Sequence, residues 1–153
     1  MNEKLSKYQN TNKILQLARD LDADLEKKDI NKLISYFSED CVIEILGLKL
    51  KDHSGLKKWL NWFFELIPSI KFEPIVIIVE KNIFFEEFFI HANTKNNKKV
   101  SVKVAEVLEY ENYKVKSLRL YLDRLLFADF ASNGFLSKKI VKLIKNKSLQ
   151  GLT

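Results

Sequence analysis

Glu106 is the first candidate for acid–base chemistry, because it lies among apolar residues on one face of a predicted strand. In the segment KVSVKVAEVLEY, Val102, Val104 and Glu106 share a face by the two-residue period of a strand. Burial on that face would disfavour the ionised carboxylate and raise its pKa, leaving a proton donor or a base near neutral pH. The alternative is a solvated carboxylate, or a structural pair with Arg119 or Arg124.

Asp123 is the second candidate acid, within SLRLYLDRLLF at 117–127. The strand period separates two faces, with Leu118, Leu120 and Leu122 on one and Arg119, Tyr121 and Asp123 on the other. Asp123 is therefore a candidate pocket acid that can act together with Glu106. The alternative is a structural carboxylate paired with a neighbouring arginine.

His91 is the third candidate, as a general base near the mouth of a pocket. A lone histidine at a strand end is more often partly buried and bonded to the backbone. His53, His91 and Cys41 are far apart in the sequence and match no ligand spacing, so we expect no metal and no cofactor. The sequence has no Gly-rich phosphate loop and no nucleophile elbow.

The composition predicts one packed domain in a reducing compartment. The chain has 153 residues, 46% of them hydrophobic, with 11 Phe, 4 Gly and 2 Pro. Cys41 is the only cysteine, which excludes an intramolecular disulfide. The polar start at 1–12 lacks the apolar segment of a signal peptide, and no apolar run is long enough to cross a bilayer. We expect a soluble, cytoplasmic protein.

Three helices are predicted in the first half of the chain. Apolar residues at helical spacing indicate a helix over about 12–27. Asp29 can cap a second helix, which ends near 38–40. Ser54 is a plausible N-cap for a third, strongly apolar helix that Pro68 stops.

Strands dominate the rest of the sequence. CVIEIL, which begins at Cys41, is rich in β-branched residues. From Phe72 onward, polar turns separate four extended runs: FEPIVIIVE, IFFEEFFIHAN, KKVSVKVAEVLEY and YKVKSLRLYLDRLLF. Helices first and strands afterwards predict an α+β domain with the helices packed on one face of the sheet.

This order of elements resembles the nuclear transport factor 2-like superfamily. The segments EKKDINKLISYFSEDCVIEIL, DHSGLKKWLNWF and VAEVLEYENYKVKSLRLYLD are most similar to its SnoaL-like group of polyketide cyclases, ketosteroid isomerases and limonene epoxide hydrolases. The resemblance covers about 12–127. It implies a cone-shaped, strongly curved, mainly antiparallel sheet wrapped around about three helices, with an apolar pocket and homodimers formed through the sheet. We expect this domain at 1–130 and a basic amphipathic tail or helix at 131–153.

The resemblance also implies roles for the acids, although neither catalytic set is complete. Glu106 falls where ketosteroid isomerases keep a protonated acid in the oxyanion hole. Asp123 closes the YLD that supplies an acid in limonene epoxide hydrolase-like members, but the strand expected to carry Arg-x-Asp reads FEEFF, at 85–89. The isomerase base would fall near Ile45, and the adjacent Glu44 replaces it only if a bulge shifts the register.

The aromatic residues predict an apolar ligand. We expect Trp59, Phe63, Phe84, Phe88 and Tyr121 to line or fill the cavity, with Glu44 and His53 also in contact with a ligand. Because neither catalytic set is complete, we favour a protein that binds a small apolar molecule without proven catalysis. The alternative is an acid/base enzyme of isomerase, cyclase or epoxide-hydrolase type, which uses Glu106 and Asp123 on a ring-bearing or isoprenoid-like substrate.

The C-terminal segment LSKKIVKLIKNK, at 136–147, carries five lysines and no acid. The formal net charge is +6, so the rest of the chain contributes about +1. We expect a solvated helix that docks through its apolar stripe. Contact with an anionic membrane surface is the less favoured alternative, and no nucleic-acid partner is expected because the body lacks a matching basic patch.

Overall fold

The computed structural model describes residues 8–93, 99–125, 128 and 135–151. The helices bounded there are α1 (Thr11–Lys27), α2 (Ile30–Ser35), α3 (Asp52–Leu66) and α4 (Phe135–Ser148). The strands are β1 (Phe37–Ile45), β2 (Leu48–Lys51), β3 (Ser69–Glu80), β4 (Ile83–Asn93), β5 (Lys99–Glu111) and β6 (Lys114–Leu122). No helix in the described part of the chain is long and apolar enough to span a bilayer.

Side chains and backbone geometry set the ends of the first two helices. The Asn10 side chain caps α1 by accepting a hydrogen bond from the Lys13 amide. Lys28 adopts φ 61° at the end of α1 and donates its amide to the Asp24 carbonyl, a left-handed cap that stops the helix. Asp29 caps α2 through the Lys32 amide, as the sequence predicted.

The six strands form one open sheet in the order β2-β1-β6-β5-β4-β3. β1 and β6 pair in parallel, whereas the other neighbours are antiparallel. Register shifts interrupt the β1–β6, β3–β4 and β5–β6 ladders, and irregularities of this kind bend strands and increase twist. Asn112 and Tyr113 both have positive φ in the β5–β6 turn, which suits the twist of a two-residue hairpin.

The core lies between the helices and the inner face of this sheet. α1 contributes Ile14, Ala18, Leu21 and Leu25, and α3 contributes Leu56, Trp59 and Leu60. They belong to the same buried cluster as Phe84, Leu108 and Leu118 from the sheet. The predicted α+β architecture is therefore confirmed.

Several predicted boundaries were wrong. α2 ends at Ser35, and residues 37–40 belong to β1 because the buried Phe37 pairs with Val115. The short strand β2 was not predicted, and α3 starts at Asp52 before the expected cap Ser54. β6 ends at Leu122, well before residue 127.

The C-terminal helix forms, but the expected docking of its apolar stripe was wrong. Leu136, Ile140, Leu143 and Ile144 of α4 are all exposed. The predicted division between residues 130 and 131 lies outside the described residues, as does most of the predicted NTKNN turn.

A buried carboxylate joins α1 to α2. Asp24 accepts hydrogen bonds from Lys27 Nζ at 2.9 Å and Tyr36 Oη at 2.7 Å, and it forms an ion pair with Lys32 at 2.8 Å. Hydrogen bonds from Lys32, Tyr36 and Lys27 hold the pKa of Asp24 well below its usual range. Burial also raises the pKa of Tyr36 to about 12, so this phenol stays a donor.

We predict that Asp24→Asn lowers the free energy of unfolding by about 1–2 kcal/mol near neutral pH, because it removes hydrogen bonds to a charged acceptor. Because the pKa of Asp24 is lower in the folded state than in the unfolded state, its ionised form stabilises the fold at pH values above the unfolded-state pKa. This stabilisation is lost as the pH falls through the folded-state pKa. The difference between wild type and variant should therefore shrink below about pH 4. Urea unfolding across pH measures it, and Asp20→Asn on the same helix is the control. Equal effects of the two substitutions would contradict the prediction.

Candidate functional site

An apolar cavity opens between α1, α3 and the inner face of the sheet. Its cavity volume is about 70 Å³, and the empty space together with its open mouth amounts to about 780 Å³. Its apolar wall consists of Leu25, Ile45, Trp59, Trp62, Phe63, Ile67, Phe72, Phe88, Ile90, Ala92, Val100, Val102, Val104, Leu120 and Leu122. Such a wall favours a hydrophobic ligand.

Three carboxyl groups meet at this wall. Glu86 and Glu106 are direct cross-strand partners on β4 and β5, and both side chains point to the inner face and are buried. Asp22 reaches the same point from α1, and Asp22 and Glu106 both line the cavity. One carboxyl oxygen from each residue lies within 4.8 Å of those of the other two. We call these three residues the acid cluster.

Burial makes the acid cluster retain protons. Desolvation raises the pKa of Glu106 to about 8, and the nearby Glu86 charge adds to this effect. Desolvation also raises the pKa of Glu86 to about 7. The pKa of Asp22 is raised well above its usual value by burial and then by the charges of Glu106 and Glu86. Three charges this close are not stable together, so the cluster holds protons at neutral pH.

Asp22 and Glu86 share a hydrogen bond, so one of the two acids carries a proton that the other accepts. The positive charge of Arg19 opposes the effect of burial on the pKa of Glu86. The cluster thus combines a carboxyl pair that shares a proton with the neutral acid Glu106.

Two further polar groups are buried near the site. The Trp59 indole N–H and the Tyr110 hydroxyl have no hydrogen-bond partner within the described ranges. Trp59 lines the cavity, and burial, followed by the charges of Glu106 and Asp22, raises the pKa of Tyr110. Burial without a partner costs about 1–3 kcal/mol per group.

The structure places some of the predicted ligand residues at the cavity. Trp59, Phe63 and Phe88 line it, and Glu106 lies in its wall. Phe84 is fully buried in the main core rather than in the cavity wall. Of these four aromatic residues, three line the cavity as predicted, and Phe84 fills the core instead.

Asp123 and Tyr121 lie on the other side of the sheet, so the expected convergence of Asp123 with Glu106 was wrong. Asp123 is exposed beyond the end of β6 and accepts a hydrogen bond from the Leu125 amide at 2.8 Å. Tyr121 is exposed and lines a separate groove together with Glu44, Arg119 and Arg124. The physical reason is that the leucine face of β6 turns inward: Leu120 and Leu122 line the cavity.

Glu44 and the two histidines also lie outside the cavity wall. Glu44 pairs with Lys49 at 3.3 Å. His91 lies on the outer face, where its Nε2 is 2.6 Å from Glu73 Oε2. His53 Nε2 is 3.3 Å from the Phe37 carbonyl in the first turn of α3. Their predicted roles in catalysis or ligand contact remain predictions without support from the cavity geometry.

Sequence reasoning missed Asp22 and Glu86, although each carried a signal. Asp22 is four residues after Ala18 and three before Leu25, so it shares their side of α1. Glu86 has the same strand parity as Phe84 and Phe88 and lies opposite Glu106.

Within the described residues, the acid cluster is also the set of carboxylates whose oxygen atoms lie close enough together to hold a metal ion. Carboxylate oxygens suit Mg²⁺ or Mn²⁺. The shared hydrogen bond and the raised pKa values of the three acids favour bound protons at this position. The absence of a metal and of a cofactor remains a prediction.

An open sheet of this topology, wrapped around helices and enclosing an apolar cavity, defines the nuclear transport factor 2-like class of cone folds. Residues 18–118, about two thirds of the chain, match the SnoaL-like domain. The chain therefore belongs to the SnoaL-like domain family, which confirms the resemblance seen in the sequence.

Solved structures share this fold at low sequence identity. A nuclear transport factor 2-like protein of unknown function from Burkholderia pseudomallei has TM-score 0.73 at 12% identity, covering 79% of this chain and 98% of that chain. TerC, co-crystallised with polyporic acid, has TM-score 0.69 at 13% identity, covering 77% and 97%. The epoxide hydrolase/cyclase-like enzyme SalBIII has TM-score 0.66 at 12% identity, covering 73% and 92%. No curated protein sequence matches significantly.

We predict that Glu106→Gln changes the pH dependence of stability. A raised pKa means that the folded state binds more protons between the usual value of 4.5 and about 8, so wild type loses stability as pH rises through that window. The amide is neutral throughout, so the variant's stability relative to wild type should improve by about 1 kcal/mol or more between about pH 5 and pH 9. Urea unfolding measures this change.

The control for this measurement is Glu109→Gln, an exposed acid on the same strand. Its stability relative to wild type should change little over that range. If both variants show the same pH dependence, Glu106 does not hold its proton in the folded state.

Proposed function

We propose that the protein binds a small, neutral, ring-bearing or isoprenoid-like molecule in the cavity and transfers protons to and from it with the acid cluster. The observation that carries this proposal is that Asp22 and Glu106 line an otherwise apolar cavity, with carboxyl oxygens within 4.8 Å of one another and of the buried Glu86. An apolar wall alone would support binding only. Acids that keep protons at neutral pH can also donate protons to a bound ligand.

The two protonation states give the acids different roles. Neutral Glu106 can donate a hydrogen bond or a proton to a carbonyl, hydroxyl or epoxide oxygen of the ligand. Asp22, which lines the cavity, can accept a proton from carbon or water, and the buried Glu86 shares a hydrogen bond with it. Return of that proton to the ligand would complete an isomerisation or cyclisation without net loss of a proton.

The relatives support the same class of ligand and reaction. TerC was crystallised with polyporic acid, and SalBIII is an epoxide hydrolase/cyclase-like enzyme described in pyran ring formation. The expected alternative of acid–base catalysis is thus retained with a different residue set, in which Asp22 and Glu86 replace Asp123 as partners of Glu106.

We also propose that two chains associate through the outer face of the sheet, as the family resemblance implies. Val76 and Ile78 on β3 and Tyr121 on β6 are exposed there. Phe85 and Val107 lie in the cross-strand row of Ile78, and Val76 and Tyr121 stand at the two ends of the next row. A second copy would cover this apolar area.

For ligand binding, we predict that Val102→Phe weakens the affinity for neutral cyclic ketones and isoprenoid epoxides by about tenfold or more, because the larger ring occupies the cavity. Both tryptophans, Trp59 and Trp62, line the cavity, so intrinsic fluorescence reports binding. Val42→Phe on β1, at a half-buried valine that does not line the cavity, is the matched control and should bind as wild type does. Equal losses in the two variants would place the ligand elsewhere.

For catalysis, we predict that Glu106→Gln, Glu86→Gln and Asp22→Asn each lower turnover of the bound compound by about a hundredfold or more. Binding should change by only a few-fold, because the apolar wall is intact. Turnover is followed by chromatography of the compounds that bind. Glu87→Gln, which faces outward beside Glu86 and pairs with Lys103, is the control.

Three outcomes would contradict this assignment. Unchanged turnover in all three cluster variants would remove the acids from the reaction. Loss of turnover in Asp123→Asn alone would instead favour the acid that the sequence suggested. Binding without turnover of any bound compound in wild type would leave a binding protein and refute the catalytic role.

A further inference from the structure

Helix α4 carries an apolar stripe on one side and most of its lysines around the rest of its surface. Leu136, Ile140, Leu143 and Ile144 recur at spacings of three and four, so they form one stripe. Their exposed fractions are 72%, 51%, 58% and 46%. The core that holds α1 and α3 therefore leaves this stripe uncovered. An exposed apolar stripe along a helix of 14 residues is typical of a surface that binds another molecule.

The opposite side of α4 is basic. Lys138, Lys142 and Lys145 lie there, Lys139 flanks the stripe, and Lys147 lies in line with the stripe at its C-terminal end. No acid occurs between 136 and 147. The lysine side chains can extend their charges beside the apolar stripe. A partner that fits α4 must therefore supply both an apolar region and negative charge along a length of about 21 Å.

We propose that α4 binds the surface of an anionic lipid bilayer, with its apolar stripe in the boundary between headgroups and acyl chains and its lysines among the headgroups. A bilayer surface supplies both requirements at once, and segregated amphipathic helices rich in lysine bind it in this orientation. Nucleic acid would neutralise the lysines but leave the stripe in water.

A second copy of the chain fits α4 less well. The net charge is +6, and five lysines lie in the α4 segment, so the rest of the chain carries only +1. The body of a second copy therefore offers no net negative charge to attract these lysines. Charge complementarity thus selects the lipid surface.

The test uses the full chain and vesicles of two compositions. We expect co-sedimentation with vesicles of phosphatidylcholine mixed with phosphatidylglycerol, and little with phosphatidylcholine alone. Added salt should weaken this binding because the lysine contacts are screened.

Two groups of substitutions separate the contributions. Changing Lys138, Lys139, Lys142 and Lys145 together to Gln should weaken binding by about a hundredfold or more. Changing the same four lysines to Arg should preserve binding. The double substitution Ile140→Gln and Ile144→Gln should also weaken binding by about tenfold or more, since it removes apolar contact and leaves every charge.

The matched control changes four exposed lysines of the body, Lys51, Lys57, Lys58 and Lys99, to Gln. This variant has the same net charge as the α4 lysine variant and should bind vesicles within about twofold of wild type. Unfolding curves show whether each variant keeps the fold of the domain.

Four results would overturn the proposal: no binding to anionic vesicles, an equal loss in the body control, unchanged vesicle binding in the isoleucine variant, or tighter binding to duplex DNA than to vesicles. Sedimentation velocity without lipid adds a fifth. If the isoleucine substitutions convert an oligomer into a monomer, a second copy of the chain covers the stripe.

Discussion

Three carboxyl groups meet beside an apolar cavity, and their burial governs the behaviour of the site. Ionised carboxylates in apolar surroundings are costly unless they are paired, so the cluster lowers its charge by holding protons. The hydrogen bond between Asp22 and Glu86 lets this pair share a proton beside the neutral Glu106. The apolar wall of the cavity is therefore what gives these ordinary acids pKa values useful near neutral pH.

The fold positions the cluster through two independent constraints. The antiparallel register of β4 and β5 sets Glu86 opposite Glu106, and a slip of one residue would turn a strand's side chains to the outer face. The second constraint is the orientation of α1, which carries Asp22. Two residues further on, Asp24 anchors α1 to Lys32 and Tyr36 of the following segment. The Asp24 carboxylate thus fixes the helix that carries Asp22 of the acid cluster.

Much of the fold could be predicted from the spacing of apolar residues in helices and strands. The site could not, because it depends on distances between side chains on different elements. The strand period placed Glu106 on an apolar face, and that prediction agrees with its burial. The same period separated the two faces of β6 correctly but did not identify which face turned inward, so Asp123 was assigned to the pocket. The leucines on the opposite face were the better guide, since burial of apolar area decides which side faces the core. Glu86 and Asp22 come from elements far from Glu106 in sequence, and their convergence depends on tertiary pairing.

The central claim is that the acid cluster retains protons at neutral pH. The most direct measurement is a titration by NMR of the carboxyl carbons in protein labelled with ¹³C at Asp and Glu, with Asp22→Asn, Glu86→Gln and Glu106→Gln to assign the signals. The account predicts that Glu106 titrates near pH 8 and that Asp22 is still protonated at neutral pH. Titration of all three carboxyls near the usual values of about 4, as for solvated acids, would contradict it.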